Sequence, residues 1–198
     1  MRIGRQLVQR FHDDKAIVFA IDKNVETIGQ LSKELPSVTA VVVDLADWTP
    51  REKHFDVNVL ACIYVAQTAA RKMIDSGTGG TFVNVCSLAA KAAVQCSSMY
   101  CASKSALEML TKSMAVELGP HNIRANCIAP GLVNSPMSQS IDPTMKAKID
   151  QLLSRNAIKR PIDPNEIADL VMFLLSPLSA MITGESVVID GGTLASFI

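Results

Sequence analysis

Nothing in this sequence is long and apolar enough to cross a bilayer as a helix, and its first residues, MRIGRQLVQRF, lack the apolar core of a secretory signal. Net charge is absent as well. The 19 Lys and Arg balance the 19 Asp and Glu, which removes the electrostatic case for nucleic acid or an anionic membrane as a partner. Metal-ligand spacing is missing too. Cys62, Cys86, Cys96, Cys101 and Cys127 form no CxxC pair and have no histidine in ligand spacing, so they read as buried free thiols of a reducing compartment, with no metal. The chain has no internal repeat, low-complexity tract or linker. What it does have is 198 residues of which 48% are apolar, enough for one domain with a real core. The expectation is a cytoplasmic, globular protein with residues 1–198 in a single domain.

Hydrophobic period and punctuation give the order of elements. IGRQLVQRFH places Ile3, Leu7, Val8 and Phe11 on one helical face. AIVFAI (16–21) is an apolar run of strand length ending at Asp22, residues 25–34 read as a helix closed by Pro36, and TAVVVDL (39–45) is a second strand. Both runs look buried on two faces, as parallel strands are. A long helix spans about 54–74 and stops at the Gly77–Gly80 cluster. TFVNVCS (81–87), a helix at 99–118 and IRANCIAP (123–130) follow. A Pro-bearing loop, two shorter helices separated by Pro161 and Pro164, and a last strand at 186–192 complete the chain. Strands and helices alternating at these lengths predict an α/β fold, a doubly wound and mainly parallel sheet.

The strongest chemical pattern is Tyr100 and Lys104 at the start of a helix. A spacing of four puts phenol and ammonium on one face, about a turn apart. A lysine held there favours the phenolate, so the tyrosine can exchange a proton with a carbonyl oxygen while hydride moves at its carbon. YxxxK alone is a common spacing, and a solvated Lys beside a helical Tyr is its plain structural alternative. Context narrows the choice. Ser87 ends a strand thirteen residues earlier, at the carboxyl edge where ligands bind in open α/β sheets, and its hydroxyl can hold the substrate oxygen. Asn58 is a polar group among apolar neighbours in FDVNVL. It reads either as a locally bonded helix residue or as a helper that orders a water near Lys104.

Together, DVNV, NVCS, YCASK, ELGPHNIRANCIAPG and ITGESVVIDGG resemble the short-chain dehydrogenase/reductases in order and spacing, over about residues 2–45 and 54–194. VVVDLADW, YCASKSALEMLTKSMAVELGPHNIR and LLSPLSAMITG look most like the dicarbonyl and xylulose reductase branch. The resemblance implies a Rossmann-type sheet and a catalytic set of Asn58, Ser87, Tyr100 and Lys104. Lys104 and Tyr100 would also face the nicotinamide ribose. Pro130, Gly131, Val133 and Ser135 match the loop that places the carboxamide and pyrophosphate, Asp44 and Leu45 match the adenine contact, and Ile3 matches the end of the glycine turn. The implied substrate is a small neutral carbonyl or alcohol, such as a dicarbonyl or ketose. The implied assembly is a homo-oligomer, dimer or tetramer, through the helices at 54–75 and 99–118.

The nicotinamide is left open between NAD and NADP. Asp22, closing the second strand of that fold, would accept from a ribose 2′-hydroxyl and repel a 2′-phosphate, which leans to NAD. Lys23 beside it could meet the phosphate, and the branch resemblance leans to NADP.

Two pieces of the family pattern are missing. Arg2-Ile3-Gly4-Arg5 matches only the tail of the TGxxxGxG turn, whose amides face the pyrophosphate at a helix N-terminus. ADWTPRE then runs straight into KHFDVNV, where the family has a helix and a strand ending in Asn-Asn-Ala-Gly; no NNAG occurs. With strand order 3-2-1-4-5-6-7, strands 1 and 4 are the absent ones, a hole about 10 Å wide. The two pieces either close in a new pairing or dock poorly. A second expectation follows from this: a catalytically impaired chain that acts through the family's oligomer interface.

Overall fold

The computed structural model describes residues 3–42, 53–95, 97–135 and 143–196. The N-terminal layer is α1 (Ile3–Asp13), β1 (Phe19–Asp22), α2 (Val25–Glu34) and β2 (Thr39–Val42). Next come α3 (Lys53–Phe55), a π-helical turn (Asp56–Leu60) and α4 (Ala61–Ser76), then β3 (Gly80–Val85), α5 (Ser98–Leu118) and β4 (Ile123–Pro130). The chain continues through α6 (Pro143–Arg155), α7 (Pro164–Leu175) and β5 (Ser186–Ile189).

All strand pairs are parallel, as expected, but they form two sheets. One is β1-β2 and the other is β3-β4-β5. That division matches the hole left by strands 1 and 4, and among the described residues no strand pairing crosses it. α1 spans the two layers. Val8 and Phe11 pack on Val18, Ile28 and Leu31, whereas Ile3 and Leu7 join Ile128, Ile167 and Leu174. The side chains of Arg10 on α1 and Asp169 on α7 pair at 2.7 Å.

The larger sheet is covered on both faces. On one, α7 presents the fully buried Ile167 and Leu174 to Ile128 of β4. Each such side chain contributes about 1.5–3 kcal/mol on burial. Its start is fixed by a reciprocal cap in which Asp163 accepts from Asn165 N at 2.8 Å and Glu166 accepts from Asp163 N at 2.8 Å. On the other face, α5 buries Leu107, Met114 and Ala115 against Cys86, Cys127 and Ala125. α4 ends at Gly77, whose φ of 65° is the left-handed conformation that releases the chain into β3.

β1 and β2 depart from expectation. They were read as buried on both faces, yet Phe19 and Ile21 are exposed, as are Val41 and Val42. An apolar run reports what a strand can bury, not whether a cover exists; among the described residues β1 has only β2 beside it, with α1 and α2 packed against it. Both strands are also shorter than the runs 16–21 and 39–45, and residues 43–45 lie outside the described residues. The last strand covers 186–189 of the expected 186–192, because Asp190 turns the chain by accepting from Gly192 N and Leu194 N, each at 2.8 Å. Among the described residues, no helix is long and apolar enough to cross a membrane.

Candidate active site

Three elements converge beyond the carboxyl end of β3. The strand hands the chain to Ser87, whose extended backbone (φ −166°, ψ 158°) starts a 3-10 turn at Leu88–Ala90. Ser87 Oγ accepts from Ala89 N at 3.2 Å, so its oxygen is held in place while its hydrogen is left to donate. Tyr100 lies in the first turn of α5, and Lys104 one turn on. The Lys104 Nζ stands 5.9 Å from the centre of the Tyr100 ring and donates to Val85 O at 2.9 Å. Two further N–H donors remain on that ammonium. Burial pushes the Lys104 pKa below its ordinary value, offset by the nearby Cys86 and Cys62.

Asn58 sits inside the π-helical turn, an irregularity that often marks a functional position in a helix. Its Nδ2 donates to Ser103 Oγ at 3.0 Å, and Ser103 Oγ donates to Tyr100 O at 2.8 Å. The direct contact of the Asn58 amide is therefore with the helix that carries Tyr100 and Lys104. Ser103, the Ser of YCASK, was missed in the sequence; it is fully buried in a helix, and its position between the Tyr and the Lys was the available clue. His54 was missed as well. Its ring lies edge-on to that of Tyr100, centroids 5.9 Å apart at 69°.

Cys86 and Cys127 are buried as expected, but Cys62 and Cys101 are only half-buried, and Cys96 is outside the described residues. A hydrogen bond from the Cys86 thiol to Cys127, together with burial, holds the Cys86 thiol well above its usual pKa.

The residues expected to hold a nicotinamide cofactor fall in two places. Pro130 ends β4, and Gly131 N donates to Ile189 O at 2.9 Å. Gly131 passes so close to Asp190 that a Cβ would meet its Cα at 3.0 Å, which gives this glycine a packing reason of its own. Val133 bridges to Ile162 and shares the apolar cluster of Ile3, which joins the loop through Ser135 to the start of α1. At the other place, Asp22 lines a cavity of about 330 Å³ with Gly4, Arg5 and Thr27. One Asp22 oxygen accepts from Asn24 N at 3.0 Å, a local turn bond, and Lys23 is exposed beside it. Asp44 and Leu45 lie outside the described residues. A carboxylate at the strand end beside a cavity reaching Gly4, with the 130–135 loop joined to the same helix, fits the adenosine and nicotinamide ends of such a cofactor.

The parallel strands with helices on both faces of the larger sheet are of the Rossmann type, and the chain belongs to the short-chain dehydrogenase/reductase family of nicotinamide-dependent oxidoreductases. The family model described as Enoyl-(Acyl carrier protein) reductase matches residues 50–193. The chain is 37% identical to L-xylulose reductase of Bos taurus over 98% of this chain and 93% of that protein. It is 32% identical to carbonyl reductase (NADPH) 2 of Sus scrofa over the same shares. A solved 4-hydroxyisoleucine dehydrogenase mutant, complexed with NADH and succinate, matches with a TM-score of 0.88 at 26% identity, covering 99% of this chain and 96% of that one. The bovine alignment runs over 229 positions against 198 residues here, so that relative carries residues this chain lacks.

Proposed function

We propose that the chain reduces a small neutral carbonyl, a dicarbonyl or ketose, with NADPH or NADH in the cytoplasm. The observation that carries this reading is Lys104 set against the Tyr100 ring and bonded to the carbonyl of Val85, two residues before Ser87 at the carboxyl end of β3. The relatives named L-xylulose reductase and carbonyl reductase support the substrate class, and the free thiols at Cys62, Cys86, Cys101 and Cys127 fit a reducing compartment.

In this mechanism Ser87 Oγ donates its hydrogen to the substrate oxygen and fixes the carbonyl beside Tyr100. Tyr100 gives its phenolic proton to that oxygen as the carbonyl carbon is reduced, and takes it back in the reverse direction. Lys104 places a positive charge against the Tyr100 ring and stabilises the phenolate left behind. Asn58, through Ser103, holds the first turn of α5 at the Tyr100 carbonyl and so steadies the turn that carries the phenol. When bound, the nicotinamide supplies or accepts the hydride; Ile3, Asp22, Lys23, Asp44, Leu45, Tyr100, Lys104, Pro130, Gly131, Val133 and Ser135 are the residues that would hold it. Asp22 favours NAD, and the name of the porcine relative favours NADPH.

Purified protein should quench NADH or NADPH fluorescence saturably and oxidise it when diacetyl or xylulose is added. Saturable binding without turnover of any small carbonyl would overturn this reading.

A second reading has its own observation. Tyr64 and Val116 keep 64% and 78% of their surface exposed, with Val65 and Met109 also exposed on α4 and α5, the helices expected to join subunits. A chain with a weakened cofactor cradle could act through that face, joining itself or complete relatives into dimers or tetramers. Native mass spectrometry after co-expression with a complete relative should then show mixed assemblies; separate homomers alone would exclude it.

A further inference from the structure

The segment leaving β3 is fastened to α5 at three successive points. Lys104 Nζ donates to Val85 O at 2.9 Å, Ser105 Oγ donates to Ala90 O at 3.0 Å, and Lys91 Nζ pairs with Glu108 Oε1 at 3.0 Å. Ser87 lies between the first fastening and the other two. Tyr100, Lys104 and Glu108 follow one another at four-residue intervals, so they form a single stripe along the helix. Ser87 and Tyr100 sit on different elements, and their separation depends on how this short exit segment is held against that stripe.

We propose that the Lys91–Glu108 ion pair is a positioning clasp that sets Ser87 against Tyr100, an inference that rests on the function proposed above. The pair is of the partly buried kind, with 26% and 14% of the two side chains exposed, so solvent screens it less than a surface pair. Glu108 Oε2 is buried and accepts no hydrogen bond, which leaves Oε1 to carry the carboxylate's interactions. Lys112, one turn on, reaches that same oxygen only at 3.6 Å. Removing Lys91 therefore leaves a poorly compensated carboxylate and frees the Ser87 turn on one side.

Neither Lys91 nor Glu108 is among the residues proposed to hold substrate or cofactor, so the clasp is expected to act on turnover rather than on binding. A small displacement of a reacting group has a large effect on rate, and Lys91→Met is expected to lower kcat by about tenfold or more with KM nearly unchanged. Lys91→Arg keeps the pair and should restore most of the rate. In parallel, hydrogen exchange at the Ala89 amide, which donates to Ser87 Oγ, should quicken in Lys91→Met and return in Lys91→Arg. An unchanged kcat, a raised KM with kcat intact, or unchanged Ala89 exchange in Lys91→Met would each overturn the clasp. A wild-type chain without turnover would count against the proposed function alone, and the Ala89 exchange would still decide the clasp.

Discussion

β1 and β4 are both parallel strands built from apolar residues, yet Ile128 and Ala129 of β4 are fully buried while Phe19 and Ile21 of β1 keep 67% and 51% of their surface. The difference lies in what flanks them. β4 has β3 and β5 as neighbours, α7 beneath and α5 above. β1 has β2 on one edge and α1 and α2 on one face. Strand propensity is therefore enough to form the ladder in either place, but only the larger sheet is closed into a two-sided core. Tyr100, Lys104 and Ser87, the proposed catalytic residues, all stand on the closed side. Asp22, the proposed adenosine contact, stands on the open one.

The largest expected effect of this contrast is on stability. Leu174→Ala, at a fully buried site, should cost about 2–5 kcal/mol, whereas Phe19→Ala at the exposed strand should change stability by no more than about 0.5 kcal/mol. Urea denaturation of the two variants would measure this, and equal losses would mean that β1 is covered in solution. The Arg10–Asp169 pair joins the two layers, but its side chains are 44% and 61% exposed. Arg10→Ala should therefore cost about 1 kcal/mol or less, seen as a small shift of the denaturation midpoint. A larger loss would make the link between the layers stiffer than the packing of α1 implies.

The smallest effect concerns the cap of α7. The Arg160 side chain bonded to Glu166, with the Asp163 amide, lowers the Glu166 pKa to about 2. A carboxylate depressed in the folded state stabilises above its unfolded pKa, and that contribution is lost as pH falls through the folded value. The cap's support is thus fully present above about pH 4.5 and fades towards pH 2. Because Glu166 is exposed, the change should be slight; Glu166→Gln should flatten that part of the pH–stability curve and leave neutral pH almost unaffected.

Much of this contrast could be read in the residues. The helix at 25–34 and the strand at 123–130 followed from period and punctuation alone, with the same bounds as the structure. The gap between the sheets followed from the missing NNAG segment and the incomplete glycine turn. The exposure of β1 did not follow from its run, because local composition carries no information about an absent neighbour. Ser103 and the Lys91–Glu108 pair were hidden for a related reason. Their partners are 45 and 17 residues away, and only the meeting of α5 with the π-helical turn and the β3 exit brings them together. Asn58, Ser87, Tyr100 and Lys104 were legible because a family pattern fixes their order; their hydrogen bonds were not, since Asn58 reaches Ser103 and Lys104 reaches a backbone carbonyl.

The closed side of the molecule is held to carry the chemistry, and comparing the wild-type chain with Tyr100→Phe tests this most directly. NADPH and NADH binding by fluorescence and consumption with diacetyl should be followed in both proteins. Binding should be nearly equal, and consumption should fall by at least about a hundredfold in Tyr100→Phe, because that change removes the phenolic hydroxyl that donates the proton and leaves the ring and the other cofactor-holding residues in place. Undiminished consumption in Tyr100→Phe would contradict it.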